Sequence, residues 1–146
     1  MAADPAAIVF TSGSEGRPKG VVLNHSNILA DIFAVKCQID VNEDDILFNA
    51  IPIFHAFGLT IGIILPILLG FRSFNCFSSI RASLVPELIY DTQATVVIAI
   101  DTFAWAWGRN AHPCDFNSVR FMLLGAEKLK SRTREFYAKK NWRTSV

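Results

Sequence analysis

The feature that most constrains this chain is its alternation of short apolar, β-branched runs with longer segments of helical period. Residues 95–100, TVVIAI, form a continuous apolar run without polar alternation, the pattern of a strand buried on both faces. Similar runs stand at 6–10, 46–51, 71–77 and 120–124. Between them, Ile28, Ile32, Val35 and Ile39 recur at helical spacing, and an apolar segment from 55 to 69 ends at Gly70, a residue suited to a helix C-terminus. Ser83 is placed to cap a helix reaching about residue 93, Asp101 to cap the next, and Ser131 to open a last one reaching about residue 140. The predicted order is β-α-β-α-β-α-β-α-β-α. Such a chain folds as an α/β domain, a mainly parallel sheet with helices on both faces.

Composition agrees with a packed domain. The 146 residues are 51% hydrophobic and 18% charged, so a substantial core is available. Lysine and arginine number 14 against 13 acids, a formal net charge of +1, which provides no whole-chain field to attract nucleic acid. Cys37, Cys76 and Cys114 are widely spaced, and with no signal-like opening they fit buried thiols in a reducing cytoplasm. His112 and Cys114 lack a second ligand pair at zinc-like spacing, so no metal site is assigned. No Asp, Glu, Lys or Arg occurs from 46 to 71, which raises a membrane-spanning alternative. Pro52, His55, Gly58 and Pro66 divide that segment into strand, turn and buried helix instead.

In open parallel sheets, ligands bind beyond the carboxyl ends of the strands. The polar, glycine-bearing segments fall there: residues 11–20, 52–58, Asp101 and 125–128. The first, FTSGSEGRPKG at 10–20, combines glycines that let backbone amides face an anion, hydroxyls at Thr11, Ser12 and Ser14, and the point charge of Lys19. This is phosphate-cradling chemistry. It is not the Walker loop, because Pro18 stands where the second glycine belongs and Gly20 follows Lys19; nor is it G-x-G-x-x-G.

The order T-S-G-S-x-G-x-P-K-G resembles the signature loop of the adenylate-forming enzymes, the superfamily of acyl-CoA synthetases, peptide-synthetase adenylation domains and luciferases. PIFHAFG at 52–58 and LLGAEKL at 123–129 resemble two further motifs of that family in the same order. The stretches GSEGRPKGVVLNH, LFNAIPIFHAFGLTIGIILPILLGF, VPELIYDTQAT and GAEKLKSRTREFY are similar to a bacterial branch, in which an acyl-[acyl carrier protein] synthetase is joined to a 2-acylglycerophosphoethanolamine acyltransferase. The resemblance implies that Thr11, Ser12, Gly13, Ser14, Gly16 and Lys19 hold the triphosphate of ATP. Glu15 replaces a common threonine and faces magnesium or solvent. His55 is implied to lie between nucleotide and acyl pocket as the catalytic histidine, and Gly125, Ala126 and Glu127 to lie against adenine. Asp101, Thr102 and Phe103 match positions that shape the carboxylate or acyl pocket in relatives, while Phe57, Leu59 and Ile63 read as core or as tunnel lining.

The implied reaction uses ATP and Mg2+ to activate a fatty acid as acyl-adenylate, then passes it to acyl carrier protein or coenzyme A. A lysophospholipid would receive it on a separate acyltransferase domain whose H-x-x-x-x-D signature this chain lacks. The family's Tyr-Gly-x-Thr-Glu segment, which helps hold magnesium, and its mobile C-terminal domain are likewise not found. Residues 1–146 are therefore expected to be part of an AMP-binding domain, inactive alone, from a cytoplasmic parent that works at the inner face of the cytoplasmic membrane. Self-association through exposed apolar faces is a further expectation. The reading from a different class is a non-catalytic nucleotide- or acyl-binding module.

Overall fold

The computed structural model describes residues 1–11, 17–77 and 81–140. Four parallel strands form the central sheet: β3 (Ile46–Asn49), β4 (Arg72–Asn75), β5 (Val96–Ala99) and β6 (Phe121–Leu124), in the order β4-β3-β5-β6. Side chains alternate between its faces, as the pleat requires. Phe48, Val97 and Met122 join a core with Val85 and Ile89 of α4 (Leu84–Asp91), Trp107 of α5 (Asp101–Asn110) and Tyr137 of α6 (Ser131–Lys139). Leu47, Val96 and Ile98 join a second core with Ile28 and Ile32 of α1 (His25–Gln38). Ile61 and Leu65, from the helical run that follows β3, complete it. Helices therefore cover both faces, and the α/β expectation holds.

The first strand departs from the expectation. Residues 6–10 do lie in a strand, β1 (Pro5–Thr11), but it pairs antiparallel with β2 (Lys19–Asn24) in a separate two-stranded sheet. The parallel sheet accordingly has four strands, and the opening reads strand, loop, strand, helix. Thr11 stands opposite Lys19, and the Thr11 hydroxyl donates to the Lys19 carbonyl at 3.4 Å. Asn24 then caps α1 through a reciprocal box with Asn27, each side-chain oxygen accepting the other's amide, at 2.8 and 3.1 Å.

The apolar segment after β3 is a single helical run with a widened centre: α2 (Ala56–Leu59), a π-helical turn (Thr60–Ile64) and α3 (Leu65–Leu69). Pro66 has no amide to donate, and the Leu65 amide reaches back five residues to the Thr60 carbonyl, so the helix is rewound where the proline enters. Gly70 ends the run at φ +77°, its amide bonded to the Pro66 carbonyl at 2.9 Å, as its position predicts. Among the described residues no helix is long and apolar enough to cross a membrane.

Two of the predicted caps differ. Ser83 stands at the cap position of α4 but makes no side-chain cap bond, and Asp101 is the first residue of α5, with Ile100 at the cap position. Ser131 opens α6, as expected. The Asp101 carboxylate turns instead to α6. Two thiols also differ from expectation: Cys37 and Cys114 are exposed, because α1 turns Cys37 outward and Cys114 sits in the loop after α5.

At the amino ends of the strands, Asp45 is buried at 1% exposure. It receives both bonds of the Arg120 Nη1, at 2.7 and 2.9 Å, the Thr95 hydroxyl at 2.6 Å and the Asn42 amide at 2.9 Å. This cluster joins the entrances of β3, β5 and β6, remote from their carboxyl ends.

Candidate functional site

β3 and β5 are neighbours, yet the helical run after β3 covers one face and α5 after β5 covers the other. The chain thus reverses direction between them, and a crevice opens outside their carboxyl ends. That crevice, about 270 Å3, is lined by Pro52, Phe54, His55, Ile100, Ala126 and Glu127. A cleft of about 450 Å3 adjoins it, bounded by Leu23 of β2, Asn27 and Asp31 of α1, and Phe57 and Thr60. His55 and Ala126 line both spaces. The motifs after β3 and β6 therefore converge as expected.

His55 is exposed and caps α2: its Nδ1 accepts the Phe57 amide at 3.2 Å. With Nδ1 accepting, the ring's N–H stands at Nε2, a donor for an oxygen held in the cleft. Two glycines allow this close assembly. A Cβ on Gly58 would stand 2.3 Å from the Pro52 carbonyl oxygen, and one on Gly125 would stand 3.0 Å from the Phe57 ring.

The β6-side loop is tied down by its own bonds. The Gly125 amide donates to Ala99 at 3.2 Å, and Ala126 adopts φ +61°, a left-handed conformation unusual for alanine. Glu127 lines the crevice, and its carboxylate accepts both the amide and the hydroxyl of Thr102, at 3.1 and 2.9 Å. Asp101, 1% exposed, accepts the Lys130 amide at 3.0 Å, with the Lys130 ammonium 3.7 Å away. Burial works to raise the Asp101 pKa, but the Lys130 amide, the Thr133 hydroxyl and the Lys130 and Arg132 charges outweigh it and leave the carboxyl below its ordinary value.

For the phosphate loop, Thr11 and Lys19 are exposed partners at the closed base of the hairpin. Ser12, Gly13, Ser14, Glu15 and Gly16 lie outside the described residues. Lys19 makes no ion pair with any described residue. Among the described residues no group of three His, Cys, Asp or Glu side chains could hold a metal ion.

Sequence reasoning missed the bonds between Glu127 and Thr102 and between Asp101 and Lys130. The partners are 25 and 29 residues apart and carry no local signature. It also missed the part-buried amide pair Asn49–Asn75, where Asn49 Nδ2 donates to Asn75 Oδ1 at 2.9 Å and joins the ends of β3 and β4 beside Gly62.

Comparison with known proteins gives this geometry a family. Residues 1–145 match the family described as AMP-binding enzyme. The medium-chain fatty-acid–CoA ligase of Escherichia coli (strain K12) is 30% identical over 129 residues, covering 87% of this chain and 23% of that protein. An ATP-bound MatB from Rhodopseudomonas palustris superposes with a TM-score of 0.81 at 27% identity, over 94% of this chain and 27% of that one. The o-succinylbenzoate coenzyme A synthetase of Bacillus subtilis, in complex with ATP and magnesium, superposes with a TM-score of 0.86 at 24% identity. That likeness covers 99% of this chain and 30% of the synthetase, and it establishes the fold. The chain spans about a quarter of the length of the curated relatives it matches. With the motifs, the four-stranded parallel sheet and a family match along nearly the whole sequence, the chain belongs to the AMP-binding enzyme family of adenylate-forming enzymes.

Proposed function

We propose that this chain supplies the triphosphate-facing and adenine-facing part of an adenylation site that activates a fatty acid. The observation that carries the reading is the convergence of His55 and Ala126 on one crevice at the strand-order reversal. In the proposed reaction the fatty carboxylate attacks the α-phosphate of magnesium-ATP, pyrophosphate leaves, and a thiol then takes the acyl group from the adenylate. The chain's share is positional and electrostatic. Thr11 and Lys19 meet the triphosphate together with residues 12–16, the His55 N–H faces the reacting oxygens, and Gly125 and Ala126 offer a flat surface to adenine.

The acceptor follows from two kinds of likeness. The relatives, among them fatty-acid–CoA and 4-coumarate–CoA ligases, favour coenzyme A. The motif wording favours the phosphopantetheine of acyl carrier protein, in a parent that returns acyl chains to lysophospholipid at the inner face of the cytoplasmic membrane. On its own the chain is proposed to bind nucleotide without completing ligation, since it corresponds to a fraction of the relatives' length. Ile8, Phe10 and Val22 expose one face of the hairpin, and Ile67 and Leu68 expose α3, which supports self-association of the isolated chain.

Photolabelling with 8-azido-ATP and magnesium tests the reading directly. Labelled peptides should contain residues 123–129 or the segment around His55, and excess ATP should abolish labelling. Label confined to other segments, or insensitive to ATP, would refute it.

A further inference from the structure

The start of α5 and the approach to α6 are joined by a crossed pair of contacts. Asp101, the first residue of α5, accepts the amide of Lys130, which precedes α6; Thr102, the second, donates its amide and hydroxyl to Glu127, three residues before Lys130. Neither helix is capped by the side chain at its own cap position, Ile100 or Lys130. The start of α5 takes its anion from the segment leading into α6, and the cap residue of α6 takes its own from the first residue of α5; each carboxylate satisfies one free amide at a terminus that favours negative charge.

Ala126 lies inside this clasp. Its left-handed backbone, at φ +61°, is disfavoured by its Cβ and persists only where the surroundings fix it. On one side Gly125 is fixed by its bond to Ala99 and by the Phe57 ring; on the other, Glu127 is fixed by Thr102. Ala126 is also a wall of both the crevice and the adjoining cleft. The Glu127 carboxylate would repel the phosphates of a nucleotide, whereas its bonds to Thr102 give it a different use.

We propose that Glu127 is a positioning residue: it pins the loop before α6 to the start of α5 and thereby holds Ala126 in the shape that receives the nucleotide, without touching it. The inference rests on the nucleotide reading of these clefts.

The test compares the full chain with Glu127→Ala and Glu127→Gln, each studied below its melting temperature. Magnesium-ATP affinity is measured by calorimetry and exchange of the Thr102 amide by NMR. Glu127→Ala should weaken magnesium-ATP by about fivefold, the ratio an average helix cap represents, and speed Thr102 exchange by a similar factor. Glu127→Gln keeps an acceptor oxygen and should restore both to within about twofold. An equal loss in the two variants would show that the charge itself meets the ligand or its magnesium, and would overturn the proposal. So would faster Thr102 exchange with unchanged affinity in Glu127→Ala. Absence of binding by the wild-type chain would instead refute the nucleotide reading itself.

Discussion

Replacing Asp45 with alanine removes the anion on which three strand entrances converge. The wild-type carboxylate, 1% exposed, takes two bonds from Arg120, one from the Thr95 hydroxyl and one from the Asn42 amide. Breaking a fully buried ion pair by deleting one partner costs about 3–5 kcal/mol. The Arg120 side chain is 36% exposed and regains water when abandoned, which argues for the lower end. Thr95 and Asn42 each lose the acceptor of a part-buried bond, so a cost of about 3 kcal/mol is expected. For a domain of this size each kcal/mol moves the melting temperature by about 3 °C, so Asp45→Ala should melt about 10 °C lower. Thermal unfolding followed by circular dichroism measures this. The double variant Asp45→Ala, Arg120→Ala should be little worse than Asp45→Ala, since Arg120 has then lost its main partner. A drop below about 3 °C, or full additivity of the two substitutions, would refute this view of the cluster.

Other expectations follow from single positions. Ala126→Gly removes the penalty of a left-handed alanine, which exceeds the entropy the unfolded glycine gains, and should stabilise the chain by about 0.5–1 kcal/mol in denaturant titration. Gly58→Ala would drive a Cβ to 2.3 Å from the Pro52 carbonyl oxygen, a backbone atom that cannot step aside, and should destabilise by about 2 kcal/mol or more in the same assay. Asp101 has a folded pKa below its ordinary 3.8, so its stabilising contribution is fully present above about pH 4 and is lost as pH falls through the lower folded value. Asp101→Asn should accordingly flatten the decline of stability in that acid window. An unchanged slope would contradict the role given to the Lys130 amide and the neighbouring cations.

What the sequence revealed was whatever is encoded locally. β3, β5 and β6 were legible because TVVIAI and its counterparts are apolar on both faces, and Gly70 because a left-handed helix end favours glycine. β2 was hidden: KGVVLN is short, directly follows a polar loop and directly precedes a helix, so the valines read as an approach to α1. The hairpin becomes visible only when Thr11 is seen opposite Lys19. Caps failed for a related reason. Asp101 has the right chemistry close to the right local place, but the Thr102 amide at the start of α5 is met by Glu127, and Asp101 serves the approach to α6. The Asp45–Arg120 pair spans 75 residues, a separation at which no spacing rule operates. For the candidate site, motif order pointed to His55 and the 125–127 loop, which the structure brings to one crevice, whereas the contact of Glu127 with Thr102 depends on a helix that the sequence does not place beside it.

The central claim, that the hairpin loop and the crevice together receive a nucleotide, is tested most directly by calorimetric titration of magnesium-ATP into the folded chain beside Lys19→Ala. The account predicts measurable binding that weakens by about tenfold in the variant, as expected when a charge-assisted phosphate contact is lost. Equal affinity in the two chains, or no binding by a wild-type chain shown to be folded, would contradict it.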